Sequence, residues 1–195
     1  MNREAWLTKL ATDHLWPMIT QHGGHEPDAW RVSVGFPKGS RGGKGGHAIG
    51  QCWPTAASAD DHAEMFISPE LEAPRAADVL LHELIHAATP SAKHGGQFKR
   101  IAVACGLTGK MTATTAGPEL AAAIGRMLAA MPAYPHGVMQ VPTGAKVGPG
   151  SRLIKVSCPM CDYAMRITRT WLEVAVPVCP DIDCPGHDEL MQVQS

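Results

Sequence analysis

The chain has 195 residues, of which 45% are hydrophobic and 18% charged, with a formal net charge of -1 when the histidines are neutral. That length suffices for one well-cored domain with a small appendage, and the near-zero charge excludes a uniformly basic nucleic-acid binder. No apolar run is long enough to span a bilayer and the N-terminal MNREAWLTKLATDHLW has no apolar core of export-signal length, so no membrane partner and a reducing, cytoplasmic location are expected.

Between residues 3 and 20, Trp6, Leu7, Leu10, Leu15, Trp16 and Ile19 follow a helix-like pattern despite Pro17, and Gly23-Gly24 ends it. Trp30 to Phe36 alternates Val32 and Val34 with other side chains, as a strand does. Residues 38–50 are glycine-rich but lack the Gly-x-x-x-x-Gly-Lys-Ser/Thr order of a phosphate-cradling loop, so a loop between two strands is expected. Strand signals resume over 47–53 and 63–68. Pro74 suits the first position of a helix over 75–88, which Thr89-Pro90 stops. Further helices are expected over 97–105 and 119–130. The first 131 residues therefore read as one domain, 132–150 as a Pro/Gly-rich linker and 151–195 as a separate module. Charge is segregated along this order. Asp60, Asp61, Glu64, Glu70, Glu72, Asp78 and Glu83 stand against Arg75 alone, whereas Lys146, Arg152, Lys155, Arg166 and Arg169 stand against Asp162 alone.

His82-Glu83-Leu84-Ile85-His86 lies within the expected 75–88 helix. Residues four apart share a helix face, so two imidazoles can converge on one ion, and the carboxylate between them can act as a base. A catalytic Zn²⁺ takes three protein ligands and keeps one position open. The positions three and six after His86 are Thr89 and Ala92, which excludes a third ligand on an extended His-x-x-Gly-x-x-His pattern. His94, after the Pro90 turn and before Gly95-Gly96, is the preferred third ligand, with Glu119 the alternative. The bland reading is a solvated helix face carrying two His and a Glu.

Cys158-x-x-Cys161 and Cys179-x-x-x-x-Cys184 form a two-knuckle pattern suited to a closed tetrahedral structural zinc. His187 is the alternative to Cys184 as fourth ligand, and two disulfides are the alternative to a metal. A 45-residue segment buries too little apolar surface to fold without such a staple. Between the knuckles, Arg166, Arg169 and Trp171, together with Lys155, can contact phosphates and stack on a base, or they can be solvated cations around a small core. Cys52 and Cys105 read as isolated buried thiols.

The string HELIHAATPSAKHGGQFKRIAVACGL resembles the SprT-like (Spartan-type) zinc metallopeptidases, which pair HExxH with a downstream His-Gly-x-x-Phe that opens the next helix, here His94 to Phe98. The resemblance covers roughly residues 28–110, with Gln97 and the glycine-rich run as departures. It implies an α+β, zincin-like domain with a small sheet and three or four helices, followed by a zinc ribbon. It implies a zinc endopeptidase with one catalytic and one structural Zn²⁺, acting on protein substrates that are bound or crosslinked to DNA, with DNA as a candidate partner of the ribbon. The competing expectation is a non-catalytic DNA- or protein-binding adaptor with structural zinc sites, against which the intact Glu83 argues.

Overall fold

A computed structural model of the chain describes residues 1–37, 48–140 and 153–193. The expected loop over 38–47 and the stretch 141–152, with Lys146 and Arg152, lie outside the described residues. The chain is of mixed α and β structure and divides into two compact units, Met1–Val141 and Pro142–Ser195. Among the described residues no helix is long and apolar enough to cross a membrane.

The first unit opens with α1 (Arg3–Leu10), capped by Asn2, whose side chain accepts the Ala5 N–H at 2.8 Å. A widened helical turn, Ala11–Leu15, joins it to α2 (Trp16–Gln21). Pro17 explains the widening: it has no N–H for the carbonyl one turn back, and its ring crowds that carbonyl. The segment thus runs as two helices where one was expected, yet Trp6, Leu7, Leu10, Ala11, Leu15, Trp16 and Ile19 are all buried. Gly24 then crosses close beneath α2, where a Cβ would lie 2.3 Å from Ile19 Cγ2.

Strands β1 (Trp30–Val34), β2 (Gly50–Trp53) and β3 (Ala63–Ile67) form a sheet in the order β1-β3-β2. β1 runs parallel to β3 and β2 antiparallel to it, with Cys52 opposite Met65 and Gly50 opposite Ile67. Period-two alternation buries Ala63, Met65 and Ile67 on one face. On the other, Arg31 binds both Asp60 and Glu64, which neutralises part of the acidic stretch. Helix α3 (Ala73–Ala88) packs against the Ala63, Met65 and Ile67 face and is enclosed on most sides, with Leu80, Leu81, Leu84 and Ile85 wholly buried.

Helix α4 (Gly96–Ala104) follows, then an antiparallel hairpin that the sequence pattern had not suggested, β4 (Leu107–Lys110) with β5 (Ala113–Ala116). Its cue is weak: Thr114 and Thr115 favour extended backbone, but four-residue strands leave little periodicity. Helix α5 (Pro118–Ala129) completes the α+β unit, whose described residues form five α-helices where three or four were expected.

Residues 132–140, expected to open a linker, are tied to the first unit. Trp6 Nε1 donates to the Pro132 carbonyl at 2.7 Å, the Trp6 and Tyr134 rings meet edge-on at 4.8 Å, and the Met139 N–H donates to Pro69 O at 2.9 Å. Arg3 donates to the carbonyls of Pro135 and Gly137. Proline and glycine abolish helical periodicity but leave carbonyls that still accept, so a segment poor in pattern is nevertheless fixed to the first unit.

In the second unit, β6 (Leu153–Ser157) lies between β7 (Ala164–Thr168) and β8 (Gln192–Val193), all antiparallel, and the short α6 (Arg169–Val174) follows β7. Its buried apolar content is small: Val156 and Met191, beside Cys158, Cys179 and Cys184.

A chain ending at residue 131 should therefore unfold at lower denaturant than one ending at residue 140. Leaving a buried indole donor unpaired costs about 1–3 kcal/mol and losing the aromatic pair about 0.5–1.5 kcal/mol. Equal midpoints in urea would show that 132–140 contributes nothing.

Candidate metal centres

Helix α3 puts His82 and His86 one turn apart, and His94 arrives from the turn between α3 and α4. That turn is closed locally. Thr89 Oγ1 donates to Ile85 O at 2.7 Å, Ala92 N–H to Thr89 O at 2.9 Å and Gly95 N–H to Ala92 O at 2.7 Å. Lys93 takes a left-handed conformation, φ 46°, which folds the chain back so that His94 faces the helix. His94 Nε2 then lies 3.1 Å from His86 Nε2 and 3.4 Å from His82 Nε2. A tetrahedral ion with nitrogen ligands at about 2.05 Å requires N···N separations of about 3.3 Å, so the three nitrogens fit one. Glu119, the alternative third ligand, is exposed at the start of α5 and is not among the clustered groups.

Phe98, four residues beyond His94, backs all three rings. It stacks on His86 at 4.3 Å and meets His82 and His94 edge-on at 4.9 and 5.1 Å. Burial lowers the pKa of His82 to about 3 and of His86 to about 4, helped by the neighbouring imidazoles, and burial lowers His94 as well. All three are thus neutral near pH 7, the form that ligates a metal. Burial pushes the Glu83 carboxyl up to about 8. A bound cation would draw it back down.

These groups open on a cleft of roughly 630 Å³. It is lined by Ile49 just before β2, by Gly50 and Cys52 on β2, by Arg75 and Val79 on α3, and by Thr112 to Thr114 at the hairpin. Gly50 lies directly over the carboxylate: a Cβ there would sit 2.5 Å from Glu83 Oε1 and 2.6 Å from Val79 Cγ1. Cys52, expected to be merely buried, lines this cleft, and burial together with the Glu83 charge pushes its thiol up to about 12. Cys105 is buried elsewhere in the core. Gly50, Phe98 and Thr114 are the residues of the centre to which spacing alone assigned no role. Phe98 was marked only by its place in the His-Gly-x-x-Phe string, and Gly50 and Thr114 by nothing local.

The second unit gathers Cys158, Cys161, Cys179 and Cys184, whose sulfurs all lie within 4.8 Å of one another. Cys158 Sγ and Cys184 Sγ are 3.7 Å apart, as are Cys161 Sγ and Cys179 Sγ. Sulfurs at about 2.3 Å from a tetrahedral ion stand about 3.8 Å apart, whereas a disulfide requires 2.03–2.05 Å. Each of three Cys-Pro steps turns a backbone N–H onto the preceding sulfur. Met160 donates to Cys158 Sγ at 3.3 Å and Gly186 to Cys184 Sγ at 3.2 Å, and Asp181 likewise serves Cys179. The Met160 N–H holds the Cys158 thiol down at about 7, which favours the thiolate. His187 is not in the cluster; its Nε2 lies 3.6 Å from Asp188 Oδ2.

Lys155 and Arg166 stand directly opposite each other across β6 and β7, both exposed, and Arg169 and Trp171 follow on α6. Trp171 is 64% exposed, so it is not the core of the unit.

Among the described residues there are thus two groups of side chains able to hold a metal, one of three imidazoles and one of four thiols. Comparison with family models, with curated proteins and with solved structures finds no match.

The full-length protein should carry two divalent ions per chain by inductively coupled plasma mass spectrometry. His94→Ala should reduce this to one, because two imidazoles remain. Two ions retained by that variant would exclude His94 as a ligand.

Proposed function

We propose that the chain is a zinc-dependent endopeptidase of the SprT-like kind, with the ion on His82, His86 and His94 and Glu83 as general base. The observation that carries this is the convergence of three neutral Nε2 atoms at 3.1–3.4 Å beside a buried carboxylate on the floor of an open cleft. A structural site would want four protein ligands and no base; three imidazoles leave one position for water or substrate. When bound, the ion supplies Lewis acidity, polarising a carbonyl and bringing the ionisation of water to about pH 7.

The chain's own groups supply the rest. Glu83 would take the proton of the attacking water and return it to the departing amine: burial alone pushes its carboxyl up to about 8, and a bound cation would draw it down to the carboxylate this role needs. β2 supplies the substrate platform. Among the described residues it is an edge strand, and since Ser68 N–H donates to Ile49 O, the ladder alternation turns the N–H and C=O of Gly50 and Cys52 away from β3. An extended peptide can add to that edge and pass over the centre. Gly50 lets the strand approach Glu83 without a clash.

In the second unit, a zinc ion on the four cysteines would supply much of the folding free energy, as in a zinc ribbon. The partner reading rests on the Lys155–Arg166 pair. Like charges opposite each other across two strands are destabilising. Among the described residues neither has a carboxylate within ion-pair distance. An anionic partner relieves that repulsion, and with Trp171 exposed nearby in sequence, single-stranded DNA provides both phosphates and bases to stack.

Glu83→Gln should retain both ions and lose about 10²- to 10⁴-fold in kcat against a protein substrate. Gly50→Ala should retain both ions and lose about 10- to 100-fold through displacement of the carboxylate or the strand. Turnover unchanged in Glu83→Gln would remove Glu83 as the base, whereas no turnover by the parent chain would leave the adaptor reading in its place. For DNA, Lys155→Ala with Arg166→Ala should flatten the slope of log K against log[salt] for a single strand by about 1.4 while the second ion is retained. An unchanged slope would remove this face as a nucleic-acid surface.

A further inference from the structure

We infer that Thr114 is a positioning residue for the three-histidine centre, held in place by an Asp78–Arg75 pair that ties its strand to the metal helix. The inference rests on the metal reading above.

Asp78 lies one turn before His82 on α3, so both side chains leave the same side of the helix. Its carboxylate is buried, 5% exposed, and fully engaged. Arg75 Nη1 lies 2.8 Å from both of its oxygens, and the Ala116 N–H donates to Oδ2 at 3.0 Å. Arg75 Nη1 also donates to the Thr114 carbonyl at 3.1 Å. The helix therefore holds β5 at two backbone points, on Thr114 and on Ala116. Between them stands the Thr114 side chain, also buried, with Oγ1 2.8 Å from His82 Nδ1.

That contact selects a tautomer. His82 Nε2 is the nitrogen that faces the other two imidazoles, so it must present a lone pair to an ion. The single proton of the neutral ring then belongs on Nδ1, and Thr114 Oγ1 accepts it. Fixing the proton on Nδ1 also fixes the rotation of the ring, and a hydrogen-bonded ligand of this kind binds metal more tightly than one left to turn. The burial of Asp78 has a purpose in this scheme: a charged pair on an otherwise apolar helix face costs desolvation, but it sets the hairpin, and hence the hydroxyl, at a defined distance from His82. Because Thr112 to Thr114 also form a wall of the cleft, the same pair ties that wall to the metal centre.

The test is a cobalt titration of the full chain and its variants. The thiolate charge-transfer band of the cysteine cluster serves as internal control, and the visible bands that remain after the cysteine cluster's own visible absorption is subtracted report the histidine centre. Thr114→Val keeps the shape of the side chain and removes the acceptor. It should weaken the histidine centre about 10- to 100-fold and change its visible spectrum, with the thiolate band unmoved. Thr114→Ser should restore affinity and spectrum. Asp78→Asn, which keeps an acceptor for Ala116 but loses the charge that holds Arg75, should weaken the same centre by a smaller factor. Parental affinity and spectrum in Thr114→Val would overturn the inference, as would equal losses in Val and Ser, since packing rather than the hydroxyl would then matter. If thermal melting shows Thr114→Val unfolded, the Ser and Asn variants decide: Ser must match the parent and Asn must not. A parent chain that loads no cobalt at the histidines would overturn the metal reading first, and this inference with it.

Discussion

Helix α3 is enclosed on most of its surface, and enclosure is expensive for a helix that carries Asp78, His82, Glu83 and His86. Each of those groups must be neutral, paired or turned toward a ligand. Asp78 is paired with Arg75 and a backbone N–H, and the imidazoles are neutral and face one another. Glu83 has its pKa raised to about 8. The surrounding architecture answers those demands. The sheet covers the helix with Gly50 over the carboxylate, α4 brings Phe98 against the imidazoles, and the hairpin brings Thr114 to His82. An ion held by the three nitrogens in this setting would convert an unfavourable burial of polar groups into a favourable one.

The second unit solves the opposite problem. It has too little apolar surface to fold around, with Val156 and Met191 its buried large side chains, so its four cysteines and the N–H groups turned onto them form the centre of the unit. One ion cross-linking β6, the turn after it and the C-terminal loops would substitute for a hydrophobic core. Lys155 and Arg166 stand side by side on the sheet.

Much of this was legible in the sequence because it depends on short spacings. His82, Glu83 and His86 sit at helical intervals, Pro74 and Pro90 mark the ends of their helix, and the cysteine pairs lie close along the chain. The preference for His94 over Glu119 followed from the same locality, and the geometry agrees with it. What escaped notice depends on tertiary contact. The β4–β5 hairpin has four-residue strands without periodicity, so Thr114 carried no signal of its own. Residues 132–140 lack any pattern yet are fixed by Trp6 and Arg3, more than a hundred residues away. Pro17 was visible as an irregularity, but only the widened turn before it shows how the two halves of that helix stay in register with the core.

The central claim is that three imidazoles, not the cysteines alone, hold a metal. X-ray absorption at the zinc edge of the full-length protein tests it most directly. The account predicts an average shell per ion of about two sulfurs near 2.3 Å and about two nitrogen or oxygen atoms near 2.0–2.1 Å, the mean of a four-cysteine site and a three-histidine site with one open position. A shell of sulfur alone, with one ion per chain, would contradict it.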